Sequence, residues 1–369
     1  MNFLKLKKIT ALVLGISGFT AAGYSQDDIF VTEHAVTSSV AIEYNDLHTL
    51  LQTNVLNVGR SEHTFERPFG VSTGSRFKPG NRNPSRLEGN RVFFHALSDA
   101  NLNYLSSIRW RLESIPEQID FTKLTKNQQL AYWLNLHNIT VYENLARAYP
   151  LTKVQRFIFG KKKCIWLDCN DPTSLLEQAT IEIKGQEISL NDIQQHVFTN
   201  WSEPMVIYGF FFGAIGTPNI RPEAYKAEFI WEQLQDNAEE FVNSIRGTQI
   251  KSHTLRISQY YKRTAMMFPD FDKDIRAHLL KYSDDDFKTR IEKTRKIKAT
   301  ISDWTTVDFL QGKPEGTGRY INLNKAGPNT IASKPHLKDF AERVIKRFQK
   351  LKPEVSVEEV DIPKEKKPE

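Results

Sequence analysis

The stretch TKNQQLAYWLNLHNITVYENLARAYP, Thr125 to Pro150, constrains this chain most, because it carries both a start and a stop for one long helix. Thr125 with Gln128 three residues later is a capping-box pattern that satisfies the first free N–H groups of a helix. Leu130, Leu134, Val141, Leu145 and Ala148 then form one apolar stripe at helical spacing, and Pro150 ends it. A helix of this length with such a stripe needs other elements packed against it. His137 falls within the stripe, and a hydrogen-bonded core histidine is favoured there over a ligand or base, since buried polar groups require partners. Asn135, Asn138 and Tyr142 share an adjoining face.

Other elements follow from similar signals. Leu102, Leu105, Ile108, Leu112 and Ile115 predict a helix from about Ser98 that stops at Pro116. ATIEIKGQEISL reads as a β-hairpin turning at Lys184-Gly185, and Ser189 opens a short helix with Asp192 near its positive end. Pro222 marks the start of a longer helix with Phe229, Leu234, Ala238, Phe241 and Ile245 inward and Gly247 as its cap. KTRIEKTRKIK, Lys288 to Lys298, reads as a solvated helix face. Gln26 to about Asn90, with the Arg/Gly/Pro/Ser-rich run RPFGVSTGSRFKPGNRNPSR, reads as an irregular arm. Together these predict an α+β fold, mainly helical with a small antiparallel sheet. The main domain spans 91–312, after an arm over 26–90 and before an extension over 313–369 with a disordered charged tail.

The amino terminus places Lys5, Lys7 and Lys8 before an apolar run from Ile9 to Phe19 and then small residues, the pattern of a signal peptide over 1–25. The run is shorter than the ~20 residues a bilayer needs, so no integral span is expected after cleavage. The implied location is periplasmic or extracellular, in a bacterium. Loss of the three leader lysines lowers the formal charge of +6 to about +3, too little to suggest a nucleic-acid partner. Cys164 and Cys169 are the only cysteines. Export favours a disulfide between them, worth roughly 2 kcal/mol, or free thiols; no His lies nearby to complete a zinc site. Neither metal nor cofactor is expected.

Four segments in order, from about Asp99 to Leu310, resemble the family designated domain of unknown function 547, found in bacteria and plants. LAYWLNLHNITV is similar to that family's Ala-Phe-Trp-Ile-Asn-x-Tyr-Asn helix and keeps Trp133, Asn135 and Asn138. EISLNDIQQHVF resembles its Ser-Leu-Asp-Asp-Ile-Glu-His element, and ISDWTTVDF its Tyr-Asp-Trp-Ser-Leu-Asn. MVIYGFFFGAIGTPNIR resembles a segment that in the family carries a histidine, an asparagine and two cysteines. The resemblance implies thiol chemistry for the family, since a thiolate needs a base or positive neighbour.

This sequence departs from the pattern at those positions. Phe212 and Thr217 stand where the cysteines fall, Ile207 at the histidine, Phe211 at the asparagine, and Gln194 and Gln195 at the Glu-His pair. His196 is one helical step, about 100°, from the lost position. The scaffold residues Trp133, Asn135, Asn138, Asp192, Pro218, Asn219, Arg221, Asp303 and Trp304 remain.

The expectation is an exported, catalytically degenerate binding or interaction module, a pseudoenzyme whose partner is a small molecule, a peptide or an envelope protein. Trp133, Asn135, Asn138, Phe212, Arg221 and Trp304 are its candidate binding residues. The alternative is a thiol-independent hydrolase or transferase acting on amide or peptide-like substrates, with His137, Asp192, His196, Thr217 and Asp303 as candidate catalytic groups. A third reading has the basic arm, Arg60 to Arg91, and the charged tail meet an acidic surface in the envelope.

Overall fold

The computed structural model describes residues 29–61, 63, 65, 83–161, 171–312 and 343. The leader, the two cysteines and the charged tail lie outside these residues. Nine helices and seven strands alternate irregularly among the described residues, and the fold is α+β and mainly helical, as the sequence predicts.

The first helix, α1 (Asn45–Asn54), lies inside the stretch read as an arm. It has no side-chain cap to announce it, but it buries Leu47, Leu50 and Leu51 in the main core. Strands β1 (Val55–Leu56) and β2 (Arg91–Val92) pair antiparallel. Helix α2 (Asp99–Gln118) begins at the capping box of Ser98 with Asn101 and runs through Pro116 instead of stopping there. Pro116 has no N–H to give the carbonyl of Leu112. That carbonyl accepts the Tyr132 hydroxyl at 3.1 Å instead, so the interruption becomes a bond to the next helix.

Helix α3 (Lys126–Arg147) has the predicted Thr125–Gln128 box and is buried along most of its length, with α2 and later elements packed around it. After α4 (Gln155–Phe159), the hairpin of β3 (Ala179–Ile183) and β4 (Gln186–Ser189) turns at Lys184 and Gly185, both with positive φ, as expected of a primed hairpin turn. Helix α5 (Leu190–Asn200) starts at a Ser189–Asp192 capping box.

Helix α6 (Ile230–Val242) starts well after Pro222. Side chains supply the reason: Gln233 accepts from Lys226 N and donates to the Ala224 carbonyl, and Asn135 holds both backbone groups of Tyr225. These bonds hold 224–226 outside any helix. Phe229, expected inward, is 53% exposed, and α6 ends before Gly247.

Strands β5 (Thr248–Lys251) and β6 (Thr254–Ser258) form a second hairpin. Short α7 (Tyr260–Arg263), then α8 (Phe271–Tyr282) and α9 (Asp285–Glu292), lead to β7 (Lys296–Ile301). β7 pairs parallel with β6, so this three-stranded sheet is mixed. The charged run Lys288–Lys298 is therefore the end of α9 plus the start of a strand, not one helix face.

Candidate functional site

The stretch Met205–Tyr225 runs through the core, and the other three motif segments meet it. A 3-10 turn, Pro204–Gly209, leads into Phe210, Phe211 and Phe212, each essentially buried. From α3, Asn138 donates to the Gly209 carbonyl at 2.8 Å and accepts from Phe211 N at 2.9 Å. Asn135 makes the same paired contact with Tyr225, at 2.9 Å each way. Two asparagines thus pin the backbone at both ends of the stretch, the use of an amide that spares buried backbone groups the cost of going unpaired.

The carboxy-terminal motif completes the frame. Gly216 N donates to the Asp303 carbonyl at 2.8 Å, Ile215 N to the Thr305 carbonyl at 2.9 Å, and Val307 N to the Gly213 carbonyl at 2.9 Å. Gly216 is required by this approach, because a Cβ there would stand 2.8 Å from the Asp303 carbonyl oxygen. Trp304 packs edge-on against Phe159 at 5.2 Å, and Phe159 against Phe212 at 5.4 Å.

His137, Gln194 and Phe212 come together at the centre. His137 Nε2 is 2.9 Å from Gln194 Nε2, and its Nδ1 is 3.0 Å from Asn138 Oδ1. The imidazole is therefore held with its hydrogen on Nδ1, facing the oxygen of Asn138, so that Nε2 accepts from the Gln194 amide. The rings of Phe210 and Phe212 close over it edge-on at 4.8 and 5.7 Å. Burial pushes its pKa down to about 3, so it is neutral at physiological pH. No hydroxyl or thiol among the described residues hydrogen-bonds to it.

The other catalytic candidates lie apart. His196 is buried between Trp133 and Trp201, its pKa lowered to about 4 by desolvation. Asp192 accepts from the backbone N and hydroxyl of Ser189, both at 2.8 Å, which is the work of a helix cap. The Thr217 hydroxyl donates to the Ala214 carbonyl at 2.9 Å and is buried. Asp303 accepts from the Ser85 hydroxyl at 2.8 Å and from Thr305 N at 3.1 Å. Asp303 and Thr217 are neighbours through the Gly216 bond; His137, His196 and Asp192 do not join them.

Beneath Thr217 lies a buried charge network that sequence reasoning missed. Arg246 donates to the carbonyls of Ile215 and Thr217 and pairs with Glu240. Glu88 accepts from the backbone N of Arg246 at 3.1 Å, and burial raises its pKa and that of Glu240. Arg91 donates to the carbonyls of Arg86, Glu88 and Gly89. The only signal available was RLEGNRVFF, charges set directly against an apolar run. Of the arginines in the stretch read as a basic arm, Arg86 and Arg91 are buried in this network, Arg60 is exposed and pairs with Glu239 at 2.9 Å, and 66–82 lie outside the described residues.

Among the candidate binding residues, Asn135, Asn138 and Arg221 line one recess with Tyr142 and Tyr225, but Leu47 and Leu51 of α1 leave a volume of only about 10 Å³, room for a single water. Arg221 is fully occupied there by Glu223, the Gln233 carbonyl and Asn237. Trp133, Phe212 and Trp304 are core. Larger clefts of about 300 and 340 Å³ flank the extended segment Ala41–Tyr44, one toward α3 and Lys226–Phe229, the other toward α2.

Residues 121–242 match the profile of a family described as a protein of unknown function, DUF547. That segment belongs to the family. It reaches from just before α3 to the end of α6, and so holds the first three motif segments, whereas the Asp303-Trp304 segment lies outside the match and joins them through the backbone bonds above. No curated protein and no solved structure matches the chain. No described helix is long and apolar enough to cross a membrane.

Proposed function

We propose that this DUF547 chain is an exported binding module in which the position of the family's reactive groups is kept and its chemistry removed. The observation that carries the reading is the state of His137: neutral, bonded to Gln194 and Asn138, and covered by Phe210 and Phe212. A general base needs a proton donor within reach and a pKa near the working pH, and His137 has neither. Thr217, Asp192 and Asp303 are each spent on a bond that the fold uses. The lysine-led apolar leader supports delivery to the periplasm or beyond, where a small molecule, a peptide or an envelope protein is the partner.

The test is turnover. Purified protein incubated with peptide and ester libraries should leave them intact by mass spectrometry. Hydrolysis that disappears in Thr217→Ala or His137→Gln would sink the reading in favour of a thiol-independent hydrolase. For export, fractionated cells should hold a chain shortened by about 25 residues outside the cytoplasm; full-length protein in the cytoplasm would overturn that part.

A further inference from the structure

Strand alternation sorts the sheet of β5, β6 and β7 into two faces. Ile250, Leu255, Ile257 and Ile297 turn toward the protein, whereas the other face carries Lys251, Arg256, Lys296 and Lys298, set among Gln249 and two threonines. Every charge on that face is positive, although the chain holds 44 acidic residues against 50 Lys and Arg, so overall composition does not account for it. The register sets Arg256 directly opposite Lys298, and Lys251 and Lys296 on either side of Thr254. Among the described residues none of the four cations forms an ion pair; Arg256 bonds instead to the Thr300 hydroxyl at 2.9 Å and to Gln249 at 3.5 Å. Arg295 extends the patch, since its backbone N–H donates to the His253 carbonyl at 2.8 Å, in the turn beside Lys251. Lys251, Arg295, Lys296 and Lys298 are exposed.

Like charges directly opposite one another on a sheet work against the fold. Lysines on an edge strand discourage pairing with other chains, which accounts for Lys296 and Lys298 on β7. It does not account for Arg256, because β6 is the central strand and has no edge to guard. The face is one side of a sheet rather than a groove: its residues line none of the described clefts, and it displays no aromatic ring on which a base could stack. An array of cations on such a surface matches a plane of phosphates. We propose that the outward face of β5, β6 and β7 docks this protein on an anionic phospholipid surface, with Lys251, Arg256, Lys296 and Lys298 against the headgroup phosphates. This goes beyond the binding-module reading, because the face lies after the matched residues 121–242, outside the four motif segments, and needs nothing from the state of His137.

Flotation of the full chain with vesicles tests the proposal. The protein should float with vesicles of phosphatidylcholine mixed with phosphatidylglycerol at about 0.1 M salt and stay behind at about 1 M, where the screening length falls from about 10 Å to about 3 Å. Each Lys or Arg near such a surface is worth about fivefold in binding, so Lys296→Gln combined with Lys298→Gln should weaken it by about 25-fold. Lys123→Gln with Lys153→Gln, the same loss of charge at two exposed lysines elsewhere, should stay close to wild type. Lys298→Gln alone should melt slightly above wild type, because it removes the charge facing Arg256; a lower melting point would show that this cation serves the fold and would overturn the proposal. Equal weakening by the two double variants, or flotation with phosphatidylcholine alone, would also overturn it, since diffuse charge or the apolar leader would then hold the protein. Release by inorganic phosphate but not by sodium chloride of equal ionic strength would replace the surface with a discrete phosphate site. Tighter binding to DNA than to the mixed vesicles would replace the lipid with a polyanion, and either result sinks the lipid assignment.

Discussion

The two halves of Met205–Tyr225 are packed differently. From Ile207 to Phe212 the side chains are apolar and ring-rich, enclosed by His137, Phe159, Phe198 and Tyr260. From Ile215 to Arg221 the chain is held by charges and amides: Arg246 on two carbonyls, Asn219 Oδ1 accepting from Asn90 N at 2.9 Å, Asn90 donating to the Ile220 carbonyl at 2.8 Å. The first half asks its side chains mainly for volume, its backbone being clamped by Asn138 at Gly209 and Phe211, and the second half depends on charged and amide side chains throughout. Packing accepts any apolar group of suitable size, but a buried polar network fails when one member is missing.

The contrast is open to attack from both sides. The largest effect should come from Arg246→Met, which strands the Glu240 carboxylate and two carbonyls; a loss of about 3–5 kcal/mol in urea unfolding is expected, and a loss under 1 would mean the second half is not held by charge. Phe212→Cys should cost about 3 kcal/mol for the lost ring. Its thiol should react slowly with Ellman's reagent in the native state, because it is buried beside a neutral imidazole; fast native-state reaction would show an open site. Asn138→Ala should cost about 2 kcal/mol by orphaning Gly209 O and Phe211 N, and a cost equal to that of an exposed Asn would refute the clamp.

The smallest effect is a slope with pH. His137, His196 and His278 are buried neutral, with pKa values lowered to about 3, 4 and 3. The unfolded chain binds their protons near pH 6.5 and the folded chain does not, so stability is full above that pH and falls as pH drops toward 4. Each contributes at most about 1.4 kcal/mol per pH unit. His278→Phe should flatten the slope by one such share, and an unchanged slope would mean that His278 titrates freely in the fold.

What was readable in the sequence was local. The capping boxes of α3 and α5, the hairpin at Lys184-Gly185 and the helical class all follow from residues within one or two turns of each other. The resemblance to the family was legible too, and three of its four segments fall within the matched residues 121–242. Helix α1 escaped because it has no cap to mark it, and α6 was placed too early because its opening is decided by Gln233 and Asn135, whose partners no local pattern names. Pro116 misled for a related reason: its freed carbonyl partner is a tyrosine on another helix.

The charge network lay beyond reach of any pattern. Glu88 and Arg91 are far along the chain from Arg246 and Asp303, and only the tertiary structure brings these groups together. The sequence by itself determined the capped helices α3 and α5 and the hairpin of β3 and β4, because these depend on neighbours along the chain. Only the fold decided that His137, Gln194 and Phe212 come together, because closeness of residues on α3, α5 and the 205–225 stretch is a property of packing and not of spacing.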